Sequence, residues 1–138
     1  MFTLSQLEAV AYRFEMAGGR SLDQSESDCV MASGFQSVEL LILADRICGW
    51  LDSSPDLTSD FRSPAFWALG KSYDSRLVDF FRRHLAREIE RDMTVAYQIM
   101  IALDNLDEPV WPPDKQSFSV FESDENHEAA VRYLAECA

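Results

Sequence analysis

The chain has 138 residues, of which 47% are apolar and 26% charged, and its 24 acidic and 12 basic side chains give a formal net charge of −12. A chain of this length and composition fits one domain, so we expect a single domain over residues 1–138. Because binding to phosphates requires lysine and arginine, the charge argues against nucleic acid and anionic membranes as partners. It favours a cationic partner, or simply high solubility.

Three cysteines without a C-x-x-C pair predict neither a disulfide framework nor a zinc finger. Reduced thiols fit a cytoplasmic protein best. The first residues lack a basic stretch followed by an apolar run, so we expect no secretory signal, and the apolar stretches are too short to span a bilayer.

The first sixty residues predict two helices separated by a polar loop. Thr3 and Gln6 have capping-box spacing before a helix over 4–17, which Gly18 and Gly19 end. The stretch 20–36 is rich in serine and aspartate and is predicted to be a loop. A second helix is predicted over 37–51.

From residue 61 the pattern predicts helix pairs. Pro64 suits the first turn of a short helix that ends at Gly70. Asp74 can cap a longer helix over 75–91, in which the arginines point mostly outward. A third helix is predicted over 94–106.

A proline-containing connection over 107–123 is predicted to precede the last helix. Asp124 is its expected N-cap, with His127 at the third helical position.

Two similar tetrapeptides, at 66–69 and 100–103, lie 34 residues apart, which is a spacing of helix-pair solenoids. An ordinary helical bundle explains the pattern equally well. The predicted fold class is therefore all-α, with antiparallel helix pairs stacked as a short HEAT-like α-solenoid or a helical bundle.

Charge is distributed unevenly along the chain. Residues 1–60 carry 3 basic and 10 acidic side chains, residues 61–99 carry 7 and 5, and residues 100–138 carry 2 and 9. A basic central segment therefore lies between two acidic ones, and the surplus acidity must face solvent or a partner.

Catalytic and metal-binding patterns are weak. His84 and Glu88 lie one helical turn apart, and Asp124 and His127 form an i, i+3 pair, but the several glutamates and two Glu-x-x-His units of di-iron bundles are absent. A surface salt bridge and a helix cap explain these pairs more simply. No G-x-S-x-G or phosphate-binding glycine loop occurs. We expect no enzyme activity, cofactor or metal.

Some aromatic residues lie beside acids at predicted loops or helix ends. Trp50 precedes Asp52, Tyr73 precedes Asp74, and Trp111 follows Glu108. Tryptophan and tyrosine are favoured at the energetic centres of protein interfaces, although core packing is the commoner role.

The strings WALGKSYD at 67–74, LVDFFRRHLARE at 77–88 and YQIMIALDNLDEP at 97–109 resemble HEAT-like immunity proteins encoded beside bacterial polymorphic or contact-dependent toxins. The resemblance covers about residues 61–111. It implies a bacterial cytoplasmic protein without enzyme activity that binds and neutralises a cognate toxin. A strongly acidic protein suits a basic toxin such as a nuclease.

The expected partner-binding residues are acids and aromatics at helix ends and loops: Asp104, Asp107, Glu108 and Trp111 first, then Asp52, Asp56, Asp60 and Tyr73. Two alternatives stay open. One is a helical-repeat adaptor in a larger assembly, and the other is a helical-bundle metal protein or enzyme that uses His84, Glu88 and His127.

Overall fold

A computed structural model describes residues 1–114 and 118–138, and over these residues the chain is all-helical, without strands. The all-α prediction is confirmed. Residues 115–117, which belong to the predicted 107–123 connection, lie outside the described residues. Seven α-helices occur in the described part of the chain: α1 Leu4–Ala17, α2 Gln24–Ser33, α3 Leu40–Ser53, α4 Ser59–Gly70, α5 Val78–Glu88, α6 Met93–Asn105 and α7 Ser123–Cys137.

The helices group into two compact units, Met1–Ser72 and Tyr73–Ala138, here called unit 1 and unit 2. The expectation of one domain over 1–138 stays a prediction. No helix in the described ranges is long and apolar enough to cross a membrane.

Unit 1 is organised around α1, which packs against α2, α3 and α4, while α3 also packs against α4. Thr3 accepts a hydrogen bond from the backbone N–H of Gln6, and the Gln6 side chain accepts one from the backbone N–H of Thr3, so the predicted capping box is confirmed. The buried positions of α1 follow helical spacing: Leu7, Val10, Ala11 and Phe14.

The loop prediction for 20–36 is wrong, because α2 occupies most of that stretch. Asp23 caps α2 by accepting a hydrogen bond from the Glu26 N–H, and the Glu26 carboxylate accepts one from the Asp23 N–H. Only Val30 of this helix is fully buried, so its apolar pattern is too sparse to reveal it. The capping box of Asp23 and Glu26 is the sequence signal that marks the start of α2.

Helix α4 begins at Ser59, earlier than predicted, so Pro64 lies inside the helix and not in its first turn. A proline at this position cannot donate to the carbonyl of Asp60 four residues earlier. The helix tolerates this because packing holds it: Ala65, Phe66, Ala68 and Leu69 are completely buried.

Unit 2 consists of α5, α6 and α7, each in contact with the other two. The predicted helix over 75–91 is divided into a 3-10 turn, Ser75–Leu77, followed by α5. Asp74 accepts from the Arg76 N–H as expected, and Asp92 caps α6 by accepting from the Thr94 N–H. Helix α7 begins after Glu122, so the prediction of Asp124 as its N-cap is wrong.

The two similar tetrapeptides lie on α4 in unit 1 and on α6 in unit 2. Both have the same burial pattern, in which the second residue is half-buried and the other three are buried. Any amphipathic helix can produce this pattern, so the stacked HEAT-like arrangement stays a prediction.

Candidate protein-binding surface

The C-terminal end of α6 has an unusual backbone conformation for its sequence. Asp107 has a positive φ of 62°, its N–H bonds to the Asp104 carbonyl at 2.9 Å, and the N–H of Glu108 bonds to the Leu103 carbonyl at 3.1 Å. These bonds form a Schellman motif with aspartate at the left-handed position, which glycine usually occupies.

The end of α1 shows the same motif with glycine in place. Gly19 has a φ of 104°, its N–H bonds to the Met16 carbonyl, and the Arg20 N–H bonds to the Glu15 carbonyl at 3.0 Å. The comparison within one chain shows that Asp107 occupies a site where glycine is sterically easier.

Asp104 and Asp107 are both exposed, and both lie at the negative end of the α6 dipole. Partial burial raises the pKa of the Asp104 carboxyl, and repulsion from Asp107 raises it further. Three features at this helix end therefore oppose stability: a left-handed aspartate, two like charges, and acids where a helix favours bases.

The third acid predicted for this surface, Glu108, is engaged inside unit 2. Its Oε1 accepts from Arg82 Nη2 at 2.5 Å and from the Tyr133 hydroxyl at 2.6 Å, while that hydroxyl accepts from Arg82 Nε at 2.9 Å. The bond from Tyr133, together with Arg82, lowers the pKa of Glu108. Arg82, expected to point outward, is half-buried in this network. Arg82 lies on α5, Glu108 follows α6, and Tyr133 lies on α7.

Trp111 is also internal. It is buried, its indole N–H donates to Asn126 Oδ1 at 3.2 Å, and its ring meets Tyr97 edge to face at a centroid distance of 6.2 Å. Asn126 is buried as well, and its amide donates to the Ser119 carbonyl. Trp111 therefore anchors the connection between α6 and α7 within unit 2, and the surface proposed below does not include it.

The second predicted group of acids borders an aromatic row in unit 1. Asp52, Asp56 and Asp60 are exposed and alternate along the chain with residues that line a cavity, among them Trp50 and Phe61. Trp50 meets Phe61 edge to face at 6.2 Å between ring centroids. The structure thus brings this acidic segment together with apolar rings.

Tyr73 is the other predicted aromatic contact. Its side chain is 64% exposed, and its backbone φ of 50° is left-handed, which is uncommon for an aromatic residue. It is the first residue of unit 2. An exposed ring held by a strained backbone is compatible with a contact role, and this role stays a prediction.

The residues of the metal hypothesis have different environments. His84 and Glu88 are buried on α5, with the imidazole 4.4 Å from the ring centre of Phe80, so the simpler interpretation of a surface pair is wrong. His127 is exposed on α7. Among the residues described, no three histidine, cysteine or acidic side chains are grouped so that they could hold a metal ion.

Comparison with known proteins gives no relative: no family model, no curated protein and no solved structure matches the chain.

Proposed function

We propose that this chain is a non-enzymatic protein-binding protein that binds basic groups of its partner through acidic surfaces. The central surface comprises Asp104 and Asp107 at the end of α6. The partner is a bacterial toxin with a basic surface, such as a nuclease, which the chain neutralises in the cytoplasm. The sequence resemblance over residues 61–111 supports the partner class, and the backbone and charges at the end of α6 support the choice of this surface.

The observation that carries the position is the left-handed Asp107. A non-glycine residue in this conformation costs about 1 kcal/mol or more, and strain of this kind concentrates at functional sites. Asp104 adds a second acid whose charge is disfavoured by partial burial and by its neighbour. A cationic side chain from a partner would relieve both like-charge repulsion and the unfavourable helix dipole, so binding recovers energy that folding has lost.

The test separates stability from binding. Replacing Asp107 by glycine removes the strain and one like charge, and these gains exceed the entropy cost of glycine by about 0.5–1 kcal/mol. Asp107→Gly should therefore melt at a higher temperature and yet bind the product of the adjacent gene more weakly. Asp114→Asn removes one exposed charge elsewhere in unit 2 and is the matched control.

Association rates measured by surface plasmon resonance should fall as salt is raised, since the attraction between exposed charges is screened. Asp107→Gly should lower the association rate more than Asp114→Asn. Equal rates for the two variants would exclude the α6 end as the contact. Absence of any complex with the adjacent gene product, at low and high salt, would refute the toxin assignment.

A further inference from the structure

Unit 1 contains a cavity of about 430 Å³ that opens to solvent. This volume lies at the lower end of the range of about 300–1,000 Å³ for ligand sites. Its wall is mostly apolar, formed by Met1, Phe2, Leu4, Trp50, Leu57 and Phe61, with Thr3 and Ser54 as the polar members. The chain brings its first four residues and the α3–α4 region together to form this cavity.

The wall is held in place by contacts that do not depend on a ligand. The ring of Phe2 lies between Phe35 and Trp50, at centroid distances of 5.8 and 5.3 Å. The buried side chain of Arg62 donates to the Leu57 carbonyl at 2.5 Å, which fixes the loop before α4. A preformed apolar site loses little conformational entropy when it is filled.

The polar groups of the wall leave little for a polar ligand. The Thr3 hydroxyl accepts from the Gln6 N–H at 3.1 Å as the cap of α1. Trp50 carries an indole N–H, which is a hydrogen-bond donor, and is half-buried in the cavity wall. These features fit an apolar side chain carried on a peptide backbone.

Exposed acids that adjoin the cavity residues in sequence indicate what flanks that side chain. The segment 50–61 contains three aspartates and neither lysine nor arginine. Asp56 and Asp60 are exposed and directly precede the cavity residues Leu57 and Phe61. A second copy of this chain would bring these acids against each other, and nucleic acid would be repelled by them.

We propose that this cavity receives an apolar side chain of the partner, flanked in the partner's sequence by lysine or arginine residues that face Asp56 and Asp60. The proposal rests on the proposed function in assuming a basic protein partner, and it adds the anchor and its flanking charges. Large apolar side chains that insert into a preformed pocket commonly dominate the energy of an interface.

A minimal probe is an acetylated and amidated pentapeptide with phenylalanine at its centre and two lysines on each side. In a ¹H–¹⁵N titration it should shift the Trp50 indole resonance and the Leu57 and Phe61 amide resonances. The same peptide with central alanine should bind about tenfold more weakly, since it forfeits the burial of a ring. N-acetylphenylalaninamide, which has the ring without the lysines, should also bind more weakly than the pentapeptide.

Variants test each part of the site. Asp56→Asn with Asp60→Asn should weaken the lysine pentapeptide about threefold or more, as expected for two exposed ion pairs. The charge-matched control, Asp28→Asn with Asp45→Asn, removes two exposed acids of unit 1 outside the segment 50–61 and should leave affinity unchanged. Ser54→Leu fills the cavity and should abolish the shifts, while its remaining amide spectrum reports that the fold is kept.

Two results would overturn the proposal. No shift of the Trp50 indole at ~5 mM peptide, which corresponds to less than about 3 kcal/mol of binding energy, overturns the proposal. Equal binding of the neutral ring compound and the lysine peptide also overturns it, because the site would then be one for a small apolar molecule. These experiments need no toxin, so failure to bind the adjacent gene product refutes the proposed function alone.

Discussion

Removing the hydroxyl of Tyr133 should destabilise unit 2 while leaving its packing intact. Tyr133→Phe keeps the buried ring and deletes two hydrogen bonds, one donated to Glu108 at 2.6 Å and one accepted from Arg82 at 2.9 Å. Hydrogen bonds to charged groups contribute about 1.5–3 kcal/mol each. Arg82 and Glu108 stay paired at 2.5 Å, and their side chains are 32% and 22% exposed, so water replaces part of the loss. We therefore expect Tyr133→Phe to lower the free energy of unfolding by about 2 kcal/mol in total.

The resulting change in melting temperature depends on how much of the chain unfolds together. With an unfolding entropy of about 2.1 cal/mol/K per residue, 2 kcal/mol corresponds to about 7 °C if all 138 residues unfold cooperatively. It corresponds to about 14 °C if unit 2, which is about half of the chain, unfolds alone. Calorimetry of this variant therefore also tests the expectation of a single domain.

The assay is urea unfolding followed by circular dichroism, with calorimetry for the melting temperature. Tyr97→Phe is the matched control, because Tyr97 is half-buried in the same unit and its ring packs edge to face against Trp111. If Tyr133→Phe lowers the free energy of unfolding by less than about 0.5 kcal/mol, and by no more than the control does, this hydroxyl does not bridge α5 and α7. A double-mutant cycle with Glu108→Gln should give a coupling energy of about 1 kcal/mol or more.

Three further changes test the electrostatics and the backbone by chemical denaturation. Asp104→Asn should raise stability near neutral pH, because the folded-state pKa of Asp104 is raised. The gain should vanish as pH falls below 3.8, the ordinary pKa of aspartate, and a gain that persists there would show a packing effect. Glu108→Gln should lower stability, because the folded-state pKa of Glu108 is lowered. This deficit should shrink as pH falls from 4.5, the ordinary pKa of glutamate, through the folded-state pKa. A deficit that does not change with pH would refute the charge argument. Pro64→Ala should raise stability by about 1–3 kcal/mol by restoring a helical N–H donor, and a loss would mean that the proline ring packs usefully.

Local signals predicted much of the helical structure. The Thr3 and Gln6 spacing fixed the start of α1, because a capping box needs only residues three apart. The same motif occurs at Asp23 and Glu26, but the helix that it starts buries little apolar surface, so hydrophobic spacing does not reveal it. Pro64 was misplaced because proline preference for a first turn is statistical, and the buried face of α4 overrides it.

The candidate sites depend on contacts between residues that are distant in sequence. Glu108 meets Arg82 across 26 positions and Tyr133 across 25, so no spacing rule predicts that this acid is engaged while Asp107 beside it is exposed. The same holds for Trp111, whose indole finds Asn126 on another helix. The acidic end of α6 is readable from the sequence, but the difference between its structural and its exposed acids is not.

Folding accounts for some acids of the chain and not for others. Acids that cap helices, such as Asp23 and Asp92, or that complete an ion pair, such as Glu108, are accounted for by folding. Asp104 and Asp107 are placed where folding disfavours them, so stability does not account for their position. If binding explains it, then Asp107→Gly gains stability and loses affinity in the same molecule. A variant that gains both would mean that the α6 end is merely imperfect and that the cavity of unit 1 is the stronger candidate for the partner contact.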